Sequence, residues 1–116
     1  MTQVTIFHNP RCSKSRQTLA LLEQHGCEIT VVEYLKQPPT VLQLTEILRL
    51  LNLEPRQLMR TKEDLYKELN LGDSHCTDQQ LIAAMHTNPK LIERPIVLAN
   101  SKAAIGRPPE QVLSIL

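Results

Sequence analysis

Hydrophobic positions along the chain switch repeatedly between strand-like and helix-like spacing, punctuated by eight prolines and only three glycines. Gln3–Phe7 is short and rich in β-formers, and the turn-prone Asn9-Pro10 follows, so it is expected as a first strand. Residues 15–25 read as a helix with Leu19, Leu21 and Leu22 on its apolar side and Gly26 as its stop, and residues 29–34 as a second strand centred on Val31 and Val32. Thr40 stands three residues ahead of Gln43, and Val41, Leu44, Ile47, Leu48 and Leu51 follow at helical spacing, which is a capping box leading an amphipathic helix. Thr77 and Gln80 repeat that signature ahead of Leu81, Ile82 and Met85, with Asn88-Pro89 ending the helix. The charged stretch between them, residues 55–71, is expected as one or two short helices. Residues 95–99 and Lys102–Ile105 are β-type runs separated by Asn100-Ser101, a hairpin, and Pro108-Pro109 opens a last helix whose apolar side is Val112, Ile115 and Leu116.

The resulting order is β-α-β, helices, β-β-α: an α/β chain whose two strand-rich ends pair around a helical insertion at about residues 40–90. A β-α-β unit followed by a hairpin and a helix is the order of the thioredoxin-like fold, with a mixed sheet. A length of 116 residues fits one domain, and 41% hydrophobic against 22% charged residues is ordinary globular composition. Trp is absent and Phe and Tyr together number three, which leaves few faces on which nucleic-acid bases could stack. Thirteen basic against twelve acidic residues leave a net charge of +1, so there is no overall field to hold polyanions and any anion must be bound locally. No stretch approaches the roughly 18 apolar residues of a membrane span, and no signal-peptide pattern opens the chain. A cytoplasmic location and no nucleic-acid or membrane partner are expected.

Cys12, Cys27 and Cys76 are an odd number for a reducing compartment, which disfavours a disulfide framework and leaves a free thiol to explain. Cys12 falls between the first strand and the first helix, in His8-Asn9-Pro10-Arg11-Cys12-Ser13-Lys14-Ser15-Arg16. A thiolate there is stabilised by the positive end of the helix, by unsatisfied backbone N–H groups and by nearby Arg11, Lys14, Arg16 and His8. Ser15, one helical turn on, can donate its hydroxyl to the sulfur. These features suit a nucleophile with a depressed pKa. A C-x-x-C oxidoreductase would need cysteine where Ser15 stands, and a C-x5-R phosphatase loop would need arginine where Thr18 stands. Monothiol chemistry remains.

Arg60, Arg94 and Arg107 are the candidate anion-binding residues, since arginine offers planar bidentate donors and stays protonated. Arg94-Pro95 and Arg107-Pro108 lie at element boundaries. If Pro95 is the proline that begins the third strand of a thioredoxin-type sheet, Arg94 points at Cys12 and the Arg94-Pro95 bond is cis. His75-Cys76 looks like a fragment of a metal site, but no second close ligand pair accompanies it, so no metal and no bound cofactor are expected. Cys27 reads as a packed bystander, and His25 and His86 as helix C-terminal residues favoured by the dipole.

His8-Asn9-Pro10-x-Cys12-x-x-Ser15-Arg16, Arg60, Glu93-Arg94-Pro95-Ile96-Val97 and Arg107-Pro108-Pro109-Glu110 together resemble the glutathione- and glutaredoxin-coupled arsenate reductases, most closely the short bacterial members. The resemblance spans essentially the whole chain. It implies an oxidoreductase that reduces arsenate to arsenite. Cys12 matches the nucleophile that attacks arsenate, His8 a residue that helps lower the thiol pKa, Ser15 one that hydrogen-bonds the thiolate, and Arg60, Arg94 and Arg107 the arginines that bind arsenate and the later arsenic intermediates. It further implies glutathione as co-substrate and glutaredoxin as the partner that removes it. The loop departs from the pattern in the residues that follow the cysteine, Ser13 and Lys14, and the chain stops just after its last expected helix. Two other readings share the scaffold: a glutathione-dependent oxidoreductase acting on another oxyanion or a disulfide, and a redox-related regulator that binds RNA polymerase.

Overall fold

The computed structural model describes residues Met1–Leu116, which form two compact units: residues 1–37 with 94–116, and residues 38–93.

The first unit holds a four-stranded mixed sheet of order β2-β1-β3-β4, made of β1 (Gln3–Phe7), β2 (Glu28–Val32), β3 (Ile96–Ala99) and β4 (Lys102–Ile105). β1 runs parallel to β2 and antiparallel to β3, with Ile6 opposite Val31 on one side and Val97 on the other. β3 and β4 form the expected hairpin. Its two linking residues, Asn100 and Ser101, both have positive φ, at 53° and 59°, the backbone shape whose twist suits a two-residue hairpin. β2 starts and ends earlier than its hydrophobic pattern suggested: after Val32 the chain turns, with Lys36 and Gln37 N–H groups both donating to the Glu33 carbonyl, and Tyr34 is buried within that turn.

α1 (Ser13–Gln24) crosses from β1 to β2. Its fully buried positions, Ser15, Thr18 and Leu22, recur at helical spacing, and Leu19 and Leu21 are only partly covered. The inner face therefore starts polar, which the leucine pattern alone did not reveal. The helix ends in a Schellman motif, in which Gly26 N–H donates to Glu23 O at 3.1 Å and Cys27 N–H to Leu22 O at 3.3 Å. Gly26 sits at φ +67°, a conformation that costs an L-residue energy. The core of this unit joins Val4, Ile6, Leu22, Val97, Ala99, Ala104, Val112 and Ile115, with Cys27 packed at its margin. The last segment, Pro109–Ile115, is a 3-10 helix, and it supplies Val112 and Ile115 to that core.

The second unit is the helical insertion. α2 (Val41–Leu51) and α4 (Asp78–Thr87) each begin with the expected capping box, in which the Thr40 or Thr77 hydroxyl accepts from the N–H of Gln43 or Gln80 at 3.1 Å. Between them lie a 3-10 turn (Pro55–Leu58) and the short α3 (Asp64–Glu68). α2 and α4 pack against each other, and Leu44 and Ile47 of the one and Leu81 and Met85 of the other are buried. Glu93 N–H donates to Leu58 O at 2.8 Å and Arg60 N–H to Leu91 O at 2.7 Å, tying the middle of the insertion to its C-terminal end.

Candidate active site

Cys12 is the N-cap residue of α1, extended at φ −94° and ψ 123°, and it is buried. The loop before it is held by its own polar groups. Cys12 N–H donates to Asn9 O at 3.0 Å, Arg11 N–H to Asn9 Oδ1 at 3.0 Å, and the Arg16 guanidinium reaches back to Pro10 O at 2.9 Å. With the loop so fixed, the sulfur faces the first turn of α1, whose N–H groups have no partner within the helix.

Two arginines from the other end of the chain complete the site. Arg94 precedes β3 and its guanidinium hydrogen-bonds the Cys12 sulfur. Arg107 follows β4; its Nη2 lies 3.9 Å from Cys12 Sγ and its Nε donates to Arg94 O at 2.8 Å, so the two arginines are tied to each other. The Arg94-Pro95 bond is cis, as expected, and so is Arg107-Pro108, for which the sequence carried no such expectation.

Burial taken alone pushes the Cys12 thiol up, because it disfavours charge. The Ser15 N–H, the Arg94 guanidinium by hydrogen bond and by charge, and the Lys14 N–H together outweigh it, and the thiol is held below its ordinary value. The local cations contribute differently from the expectation. Lys14 acts through its backbone, Arg11 is exposed, and Arg16 is spent on the Pro10 carbonyl.

Ser15 also departs from its expected role. Its hydroxyl accepts from Asn9 N–H at 3.0 Å and shares a 2.6 Å hydrogen bond with His8 Nδ1, while only its backbone N–H serves the sulfur. Both side chains are buried. Burial is also the main influence on His8, pushing its pKa down against the opposing charge of Glu33 and with that of Arg16. The lowered pKa favours the neutral imidazole near pH 7, and His8 braces the loop through its hydrogen bond to Ser15.

Arg60 belongs to the second unit, where its guanidinium pairs with Glu63 at 2.6 Å; Lys90 reaches the same carboxylate at 3.6 Å. His75 Nδ1 bonds Asp73 Oδ1 at 2.9 Å, the Cys76 thiol lies 3.6 Å from Asn70 O, and no group of three or more His, Cys, Asp or Glu side chains forms a metal-binding cluster. His25 and His86 direct Nδ1 to the carbonyls of Leu21 and Pro39, at 2.9 and 2.8 Å. Sequence reasoning missed Thr18 and Gly106; the only signal was the presence of a polar residue and a glycine where apolar side chains would ordinarily fill the interior.

A β-α-β unit closed by a hairpin and a final helix, with a thiol at the N-terminus of its first helix and an Arg-cis-Pro step entering its third strand, defines a thioredoxin-like protein. Comparison narrows this class. Residues 7–115 match the ArsC family, and the chain belongs to it. It is 60% identical to protein YfgD of Escherichia coli (strain K12), described as uncharacterized, over 98% of this chain and 97% of that one. It is 50% identical to an arsenate reductase of Neisseria meningitidis serogroup B over the full length of both. Among solved structures, an arsenate reductase from Vibrio cholerae superposes with a TM-score of 0.97 at 58% identity, covering 99% of this chain and 98% of the other.

Proposed function

We propose that this protein reduces arsenate to arsenite through the Cys12 thiolate, with glutathione and glutaredoxin as electron donors. The observation that carries the reading is the pair of arginines at the Cys12 sulfur, Arg94 in hydrogen-bond contact and Arg107 at 3.9 Å. Cationic donors at that point serve both reactants, since they favour the thiolate and offset the repulsion between it and an incoming oxyanion.

In the proposed reaction the thiolate attacks arsenic, a sulfur–arsenic bond forms, and one arsenate oxygen leaves as water after taking up protons. Cys12 has no partner thiol in its loop, so the two electrons come from outside. Glutathione's thiol then bonds the arsenic and a second oxygen leaves as water. Glutaredoxin's thiol attacks the glutathione sulfur, and the arsenic–sulfur bond to glutathione breaks with its electron pair staying on arsenic, which passes from the pentavalent to the trivalent state. The two thiols leave joined as a mixed disulfide. Water then displaces the Cys12 sulfur from arsenic, which releases arsenite and restores the thiol. Arg94 and Arg107 hold the oxyanion throughout. Arg60 enters the proposal from the resemblance of its sequence position to an arsenate-binding arginine.

The test is arsenite release by the purified protein with glutathione and glutaredoxin, with thioredoxin substituted in a parallel assay. Release is expected from the wild type and loss of it from Cys12→Ser, while Arg94→Ala is expected to lower kcat/KM by about a hundredfold or more, the order of magnitude for a lost charge-stabilising donor. Undiminished release from Cys12→Ser would rule the mechanism out. Faster turnover of a glutathione mixed disulfide or another tetrahedral anion than of arsenate would move the substrate assignment.

A further inference from the structure

Gly106 separates β4 from Arg107, and its surroundings leave no room for a side chain. A Cβ there would lie 2.4 Å from Thr18 Oγ1, 2.8 Å from Pro95 Cγ and 3.1 Å from Thr18 Cγ2. Its φ is not in the positive region, where only Gly26 among the glycines is found. Space, then, and not torsion, calls for glycine at this position. Its N–H donates to Pro95 O at 2.9 Å, which fastens the approach to Arg107 onto the residue after Arg94.

Thr18 forms the opposite wall and is completely buried. Its hydroxyl donates to Lys14 O at 2.8 Å, so the side chain cannot turn away from Gly106 without giving up that bond. Lys14 in turn provides one of the N–H groups directed at the sulfur. One side chain therefore touches both halves of the site: the helical turn that holds Cys12, and the segment that leads into Arg107, itself bonded to Arg94 O at 2.8 Å.

We propose that Gly106 and Thr18 are positioning residues of the thiolate site, their close contact setting the spacing between Cys12 on α1 and the guanidinium groups of Arg94 and Arg107. The proposal rests on Cys12 acting as the nucleophile toward an oxyanion, as above. A single methyl group added at Gly106 wedges the arginine-bearing segment away from the helix, and the sulfur loses cationic donors although no reacting residue has been changed.

The experiment follows alkylation of Cys12 by iodoacetamide as a function of pH, read by mass spectrometry at that residue, together with protection by arsenate and the thermal midpoint of each variant. In Gly106→Ala the alkylation midpoint is expected to rise toward the ordinary thiol value of about 8.5. The arsenate concentration giving half-protection is expected to rise roughly tenfold, the scale of a lost hydrogen bond to a charged group. Adding Thr18→Ala removes Oγ1 and Cγ2, two of the three close atoms, and is expected to bring both readouts part of the way back, since Pro95 Cγ at 2.8 Å remains and the bond to Lys14 O is lost. A merely structural glycine would lower the thermal midpoint and leave the alkylation midpoint in place. A folded Gly106→Ala protein with wild-type alkylation and protection overturns the proposal. Should Gly106→Ala fail to fold, the double variant decides: a folded protein with a low midpoint supports the contact, and an unfolded one or an ordinary midpoint overturns it. Alkylation needs no turnover, so a wild type that releases no arsenite while Gly106→Ala still shifts the midpoint would sink the proposed reaction and leave the positioning role intact.

Discussion

Cys12 owes its character to two kinds of neighbour. Backbone N–H groups of Lys14 and Ser15 come with the helix start, and Arg94 comes from a residue far along the chain. His8 makes a separable prediction. Burial lowers its folded pKa below the unfolded value of about 6.5, so in acid the unfolded chain takes up that proton first. The stability that the neutral ring contributes is complete above about 6.5 and falls away as the pH drops toward the folded value. Urea denaturation of the wild type across that interval is expected to show a declining midpoint, and His8→Gln a shallower decline. Equal slopes would mean that other groups govern acid stability. At this scale the sequence singled out Cys12, His8, Ser15, Arg60, Arg94 and Arg107, and the structure holds all of them but Arg60 in one unit. The direction of each side chain was not legible. A serine three residues from a thiol can turn its hydroxyl to either side, and the partner that turned it, His8, is seven residues away.

Among the elements, the two capping boxes were readable because their bonds close within four residues. Thr40→Ala and Thr77→Ala are each expected to cost about 1 kcal/mol in urea unfolding. Gly26→Ala is expected to cost a similar amount, roughly 1–2 kcal/mol, for another reason. Nothing lies within 4 Å of the position a Cβ would take, so the whole penalty is torsional. A Gly26→Asn protein, better suited to positive φ, should recover part of it. The last helix was legible as a helix with its apolar side on Val112 and Ile115, and its 3-10 winding was not. Strand ends proved harder. β2 stops at Val32 because the turn at Glu33 collects two N–H donors, a choice that β propensity does not encode.

For the whole molecule, the sheet order places β1 and β3 in the centre and β2 and β4 at the edges. Ile6 and Val97, paired across that centre, are both fully buried. Native-state hydrogen exchange is expected to be slowest at the amides of β1 and β3 and faster along β2. Comparable rates in β2 would show that the sheet opens as one piece. The long separation between Arg107 and Cys12 also belongs to this scale, because only the β3–β4 hairpin and its pairing to β1 bring the two ends of the chain together. No helix is long and apolar enough to cross a membrane.

Local chemistry was available from the chain alone. Hydrophobic spacing, caps and punctuating prolines specify strands and helices through contacts a few residues apart, and they place a lone cysteine at a helix start where a thiolate is favoured. Tertiary structure decided which charges the thiolate meets. Arg11, Lys14 and Arg16 are nearest in sequence, yet the guanidinium on the sulfur is that of Arg94, with Arg107 beside it. It also decided that Gly106 and Thr18 must touch. The physical reason is common to both: electrostatic and steric interactions fall off with distance in space, and that distance is set by how the sheet closes.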